Sequence, residues 1–227
     1  MRSYLWSLLI VALATGLSFG RPSTPVQAIE EATEVLDELE KIPLKGIPPK
    51  LMDDAKAVII IPRTIKAGFI IGGRAGHGLV LMKTERGEWS DPTFVKLGGA
   101  SIGFQAGVQS TDVLLVFKKK ETLERLLLGK GKLTLGADAA IAAGPVGRQA
   151  AVATDGKLEA EIFSYSRSRG LFAGVSLDGA VLLHDKENSE IFKADFRPET
   201  ALALAKLKAK LSEIAKEPPT VLIPAKP

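Results

Sequence analysis

The chain has no cysteine and only two histidines, His77 and His184, among 227 residues. The first absence excludes disulfides, thiol catalysis and thiolate metal sites, so a packed core must supply the stability. The second leaves too few imidazoles, in no H-x-x-x-H arrangement, for the common zinc patterns. An excess of one charge is lacking too: 30 Lys and Arg stand against 26 Asp and Glu, a formal net charge of +4. That is not a nucleic-acid-binding balance, and no nucleic-acid partner is expected. Any basic function must come from the arrangement of charge along the chain.

Long apolar runs are scarce, and the longest lies at the start. Arg2 precedes Tyr4–Phe19, YLWSLLIVALATGLSF. A basic residue followed by such a run is the pattern of a secretory signal peptide. At 16 residues it falls slightly short of the ~17–25 of a membrane span. A signal segment over 1–28 is expected, with exits after Gly20 or Ala28, and an exported location, periplasmic or extracellular. No cysteine follows to accept a lipoprotein anchor. Cleavage after Ala28 would remove Arg2 and Arg21 and no acid, leaving 28 bases, 26 acids and a net +2. A single domain over 29–217 and a flexible tail over 218–227 follow.

Ile29, Ala32, Leu36, Leu39 and Ile42 recur at helical spacing in a strongly acidic segment, which predicts an amphipathic helix. Acids on that segment do not suit an anionic bilayer. AVIIIP reads as a buried strand ending at Pro62. Nineteen of the 22 glycines fall between Gly68 and Gly179, interleaved with short apolar runs. The predicted class is α+β: a glycine-rich antiparallel β core, sandwich or partly closed barrel, flanked by N- and C-terminal helices. Helices are expected over 121–128, stopped by Gly129, and from Pro198 through Leu204, Leu207, Leu211 and Ile214.

Several patterns invite a chemical reading. Gly99-Ala100-Ser101-Ile102-Gly103 matches G-x-S-x-G, and His184 follows it, but the sequence after Gly103 is β-like where that motif needs a helix. His77, between two glycines, reads as a turn residue. Lys118, Lys119, Lys120, Arg125, Lys130 and Lys132 stand against only Glu121 and Glu124, the strongest charge cluster in the chain. It reads as a solvated face or a binding patch. In FSYSRSRGLFAGVSL, strict alternation would set Tyr165, Arg167 and Arg169 on one side of a strand. The two arginines could clamp a phosphate or carboxylate, or pair with Glu159, Glu161 or Asp178.

Four motifs in order, DDAKAVIIIP, AGFIIGGRAGHGLVL, FVKLGGASIGFQAGVQSTDVLLVF and FSYSRSRGLFAGVSLDGAVL, resemble those of the SYLF domain family over roughly Ile29–Leu211. The resemblance implies lipid binding, to phosphoinositides in eukaryotic members, and groups this chain with stand-alone exported bacterial members. Eukaryotic members carry a basic N-terminal segment where this chain is acidic, and the actin binding of some fungal members is not transferred. The expectation is a non-enzymatic protein of anionic lipid or membrane surfaces, needing no cofactor. Its headgroup contacts would be Lys118, Lys119, Lys120, Lys130, Lys132, Arg167 and Arg169. The alternatives are a serine hydrolase using Ser101 and His184, and a structural envelope protein assembling through its apolar helices.

Overall fold

Val58 and Ile60 face one side of a strand and Ala57, Ile59 and Ile61 the other, and all five are buried. That requires a covering layer on both faces of the sheet. In the computed structural model, which describes residues 24–40, 47–68, 71–102, 107–128, 131–145, 160–168 and 171–216, both layers are present. Helices α1 (Pro25–Glu40) and α2 (Pro49–Asp54) lead into β1 (Ala57–Gly68), β2 (Ile71–Met82), β3 (Thr93–Ile102) and β4 (Gly107–Phe117). Helix α3 (Lys120–Leu128), β5 (Lys132–Thr134), β6 (Ile141–Ala143), β7 (Ile162–Ser168), β8 (Leu171–Gly174) and β9 (Val181–His184) follow. Helices α4 (Lys186–Ala194) and α5 (Pro198–Ile214) close the order.

The nine strands form one sheet in the order β5-β9-β3-β2-β1-β4-β7-β6, with β8 also on β7. All pairs are antiparallel except β6–β7. The sheet curls into a half-barrel, so the α+β class holds in its partly closed form rather than as a sandwich. On one face, Ile29, Leu36 and Leu39 of α1 and Leu204, Leu207 and Leu211 of α5 pack on Val58, Leu79, Leu114 and Tyr165. On the other, Leu123 and Leu126 of α3 pack with Ile59, Val80, Leu97, Leu115 and Leu182. The leucine spacing read for the last helix is the spacing that buries it.

Three expectations change. Pro62 does not end β1: the register shifts between Ile60 and Ile65 against β2 and between Ile61 and Thr64 against β4, and Arg63 takes φ 47°. A bulge absorbs the proline, and the strand runs on to Gly68. His77 is not in a turn but in mid-β2, opposite Lys96. Its flanking glycines serve close approach instead, because a Cβ on Gly78 would sit 2.2 Å from the Ile60 carbonyl oxygen. Third, the acidic helix read from Ile29 starts four residues earlier, at Pro25; farther on, Asp185 caps α4, accepting from the Asn188 backbone N–H. Residues 1–23 and 217–227, with most of the expected signal segment and the tail, lie outside the described residues; Ala28 is a buried residue of α1.

Candidate anion-binding site

The cations singled out in the sequence occupy two separate places. Lys118, Lys119 and Lys120 follow the end of β4, and Lys132 opens β5. Lys119 is paired with Glu161 at 2.8 Å and Lys120 with Glu124 at 3.5 Å, while Arg125 lies 3.9 Å from Glu161. Hydrogen bonds from Lys119 and Thr122 hold the Glu161 carboxyl below the usual carboxylate range. Arg167 stands five residues along the β4–β7 ladder, opposite Asp112, where Phe117 pairs with Ile162. At about 3.4 Å per residue that is on the order of 17 Å from the lysines. It also faces α1 rather than α3, on the same side of β7 as Phe163 and Tyr165. Asp112 and Glu38 hold it at 2.6 and 3.2 Å, not the carboxylates the sequence suggested. Lys130 and Arg169 lie outside the described residues.

Ser101 and His184 are not brought together. Ser101 is opposite Gly72 within β3, and His184 pairs with Val95, six positions away along the same strand. The chain remains extended through Ile102, without the strand-to-helix turn of a nucleophile elbow. Burial, with repulsion from Lys186, lowers the His184 imidazole, and its Nε2 lies 3.4 Å from Ser189 Oγ. That hydroxyl already donates to the Asp185 carbonyl and accepts from the Phe94 N–H.

A different pair of cations forms a site. Lys66 of β1 and Arg74 of β2 are direct cross-strand partners, and Gln109 of β4 continues the same rung. Like charges directly opposite one another destabilise a sheet unless something answers them. Here the answer is not a carboxylate. Lys66, Arg74, Gln109, Thr111 and Ser166 line a cavity of about 240 Å³, floored by Val113 and Leu177, with no acidic side chain among the described residues of its lining. Arg74 Nε is buried without a hydrogen-bond partner among the described residues, and burial lowers its guanidinium from the ordinary arginine range. Ser176 lies at the wall with its hydroxyl turned to Asp178, and Thr64 donates to the Ile61 carbonyl. The remaining donors that face the cavity are thus the two cations, the Gln109 amide and the Thr111 and Ser166 hydroxyls. Such a set suits an oxyanion.

Topology explains the position. The ends of β1, β3 and β7 and the starts of β2, β4 and β8 meet at one end of the sheet, shown by the pairs Gly68–Gly72, Gly68–Gly107, Ile71–Ile102 and Ser168–Leu171. The cavity lies near that end, on the face opposite Arg167. Sequence reasoning missed Lys66 and Arg74 because each is a lone cation. The signal was available: they flank AGFIIGG symmetrically, so a hairpin centred on that motif sets them opposite each other.

Residues 98–215 match a family model described as Ysc84, Las17-binding protein actin regulator. The SH3 domain-containing protein PJ696.02 of Schizosaccharomyces pombe is 38% identical over 163 residues, 69% of this chain and 37% of its own length. The Bos taurus SH3 domain-containing YSC84-like protein 1 is 35% identical over 176 residues, 75% of this chain and 51% of its own. Protein YSC84 of Saccharomyces cerevisiae is 39% identical over 152 residues, 66% of this chain and 32% of its own. The chain therefore spans about half or less of the length of these relatives, and no solved structure matches it. With its four motifs now placed on one curled sheet, the chain belongs to the Ysc84 family, the family of the SYLF domain.

Proposed function

We propose that this domain attaches, without catalysis, to membrane surfaces that carry anionic lipid headgroups, and that it does so outside the cytoplasm after export. One observation carries the reading: Lys66 and Arg74 face each other in a cavity whose lining has no carboxylate among the described residues. Partly buried cations without a counterion cost stability, so a fold that keeps two of them side by side is suited to an external anion. Their place near the sheet end marked by the pairs Gly68–Gly72 and Ser168–Leu171 makes that end the one a membrane surface would approach.

Lys118, Lys119 and Lys120 follow the far end of β4. A cation near an anionic bilayer contributes about 1 kcal/mol, but a flat surface meeting the Lys66–Arg74 end does not also meet them. The acidic α1 fits this orientation, since Glu31, Asp37 and Glu38 are engaged by Arg63, Lys210 and Arg167.

Co-sedimentation with vesicles tests the reading. Binding to phosphatidic acid vesicles, little binding to phosphatidylcholine, and a fall in binding as salt rises are expected. Equal binding to both vesicle types contradicts it. Export is tested by fractionating a bacterial host that expresses the full chain; retention in the cytoplasm contradicts that part.

A further inference from the structure

We propose that the Lys66–Arg74 cavity is a discrete site for one phosphomonoester group, which it takes from a soluble ester as well as from a lipid. The inference rests on the same cation pair as the membrane reading but asks more of it: a stoichiometric site rather than a charged surface.

Charge is the first argument. A phosphomonoester carries about −1.5 to −2 at pH 7 and three unsubstituted oxygens. Lys66 and Arg74 on one rung supply two positive charges, so a dianion balances both. A phosphodiester or a carboxylate brings one charge and two free oxygens, and leaves one cation unanswered. Donor geometry is the second. A guanidinium presents its donors as a rigid fork that matches an oxyanion, and Arg74 Nε is a buried donor with no partner among the described residues. Gln109, Thr111 and Ser166 add neutral donors around it. An unmet buried donor costs about 1–3 kcal/mol, a cost that an incoming phosphate oxygen removes.

Size and surroundings are the third argument. The cavity holds about 240 Å³, room for about eight waters at ~30 Å³ each, enough for a phosphate with part of a polyol. Val113 and Leu177, both nearly fully buried, form an apolar wall, which lowers the local dielectric and strengthens each charge contact.

The test is calorimetric titration of the full chain, without membranes, using inorganic phosphate, glycerol 3-phosphate and dimethyl phosphate. One-to-one binding of the first two is expected, with dimethyl phosphate at least about tenfold weaker, the value of one lost charge-assisted contact. Affinity should fall as pH drops through the second phosphate pKa, about 6. Arg74→Gln and Lys66→Gln should each weaken phosphate by about tenfold or more. Unfolding curves establish that each variant is folded, and the wild-type pH dependence stands without either. Phosphate affinity unchanged in both variants, or equal affinity for dimethyl phosphate, overturns the proposal. Vesicle binding that needs Arg74 while soluble phosphate does not bind overturns it and leaves the membrane reading intact. Soluble phosphate binding without vesicle binding supports it and removes the membrane reading instead.

Discussion

Arg167 and Asp112 face each other across β7 and β4, with Nε and Nη2 of the arginine at 2.7 and 2.6 Å from the same carboxylate oxygen, Oδ2. The other oxygen, Oδ1, accepts the backbone N–H of Arg63 at 3.0 Å, in the bulge where β1 passes Pro62. Arg63 in turn reaches Glu31, and Arg167 reaches Glu38, both on α1. A single carboxylate thus ties two core strands, a proline bulge and the N-terminal helix together. The arginine in the family's SRSRG motif is an internal fastener here.

Replacing Arg167 or Asp112 by alanine should therefore destabilise the fold. The pair is mostly buried but not fully, so about 1–3 kcal/mol is expected, below the 3–5 of a fully buried pair. Urea denaturation of both single variants and the double variant measures it. A coupling energy near zero contradicts the fastener role. Vesicle affinity of folded Arg167→Ala should match that of the wild type.

Gly78→Ala should be costly for a steric reason. Its Cβ would lie 2.2 Å from the Ile60 carbonyl oxygen and 2.8 Å from Ile61 Cα, both backbone. Neither can swing aside as a side chain would. A loss of about 1–3 kcal/mol, read as a lower thermal midpoint, is expected; an unchanged midpoint contradicts the close approach.

Acid should weaken the docking of α4 and β9. Burial alone would raise the Asp185 carboxyl, but hydrogen bonds from Asn188 and Lys96 outweigh it and hold the group below the usual value. A depressed folded value means stabilisation that is complete above the unfolded value of about 3.9 and is lost as pH falls through it toward the folded one. The denaturation midpoint should decline below about pH 4. Asp185→Asn, which keeps the cap, should show a shallower decline; an identical slope contradicts the assignment.

The elements legible in the sequence are those whose burial is periodic. Leu204, Leu207 and Leu211 announce a helix face, and the glycine-punctuated apolar runs announce a sheet. What escaped depends on partners distant in the chain. Nothing near Pro62 says that a bulge bonded to Asp112 will carry the strand past it, and nothing near His77 says that its glycines clear β1 rather than make a turn. The charge cluster at 118–132 stood out because its members are contiguous. The Lys66–Arg74 pair was harder to see because β pairing, not sequence, makes the two residues neighbours. Counting charge along the chain favours runs; a cation rung is visible only once register is assigned.

The most direct measurement compares two sets of charge removals in one vesicle assay. Lys66→Ala/Arg74→Ala and Lys119→Ala/Lys120→Ala should each be folded by their unfolding curves, then titrated with phosphatidic acid vesicles at fixed ionic strength. The account predicts a loss of about tenfold or more for the first set and a much smaller change for the second. The reverse order, or no loss from removing Lys66 and Arg74, would contradict it.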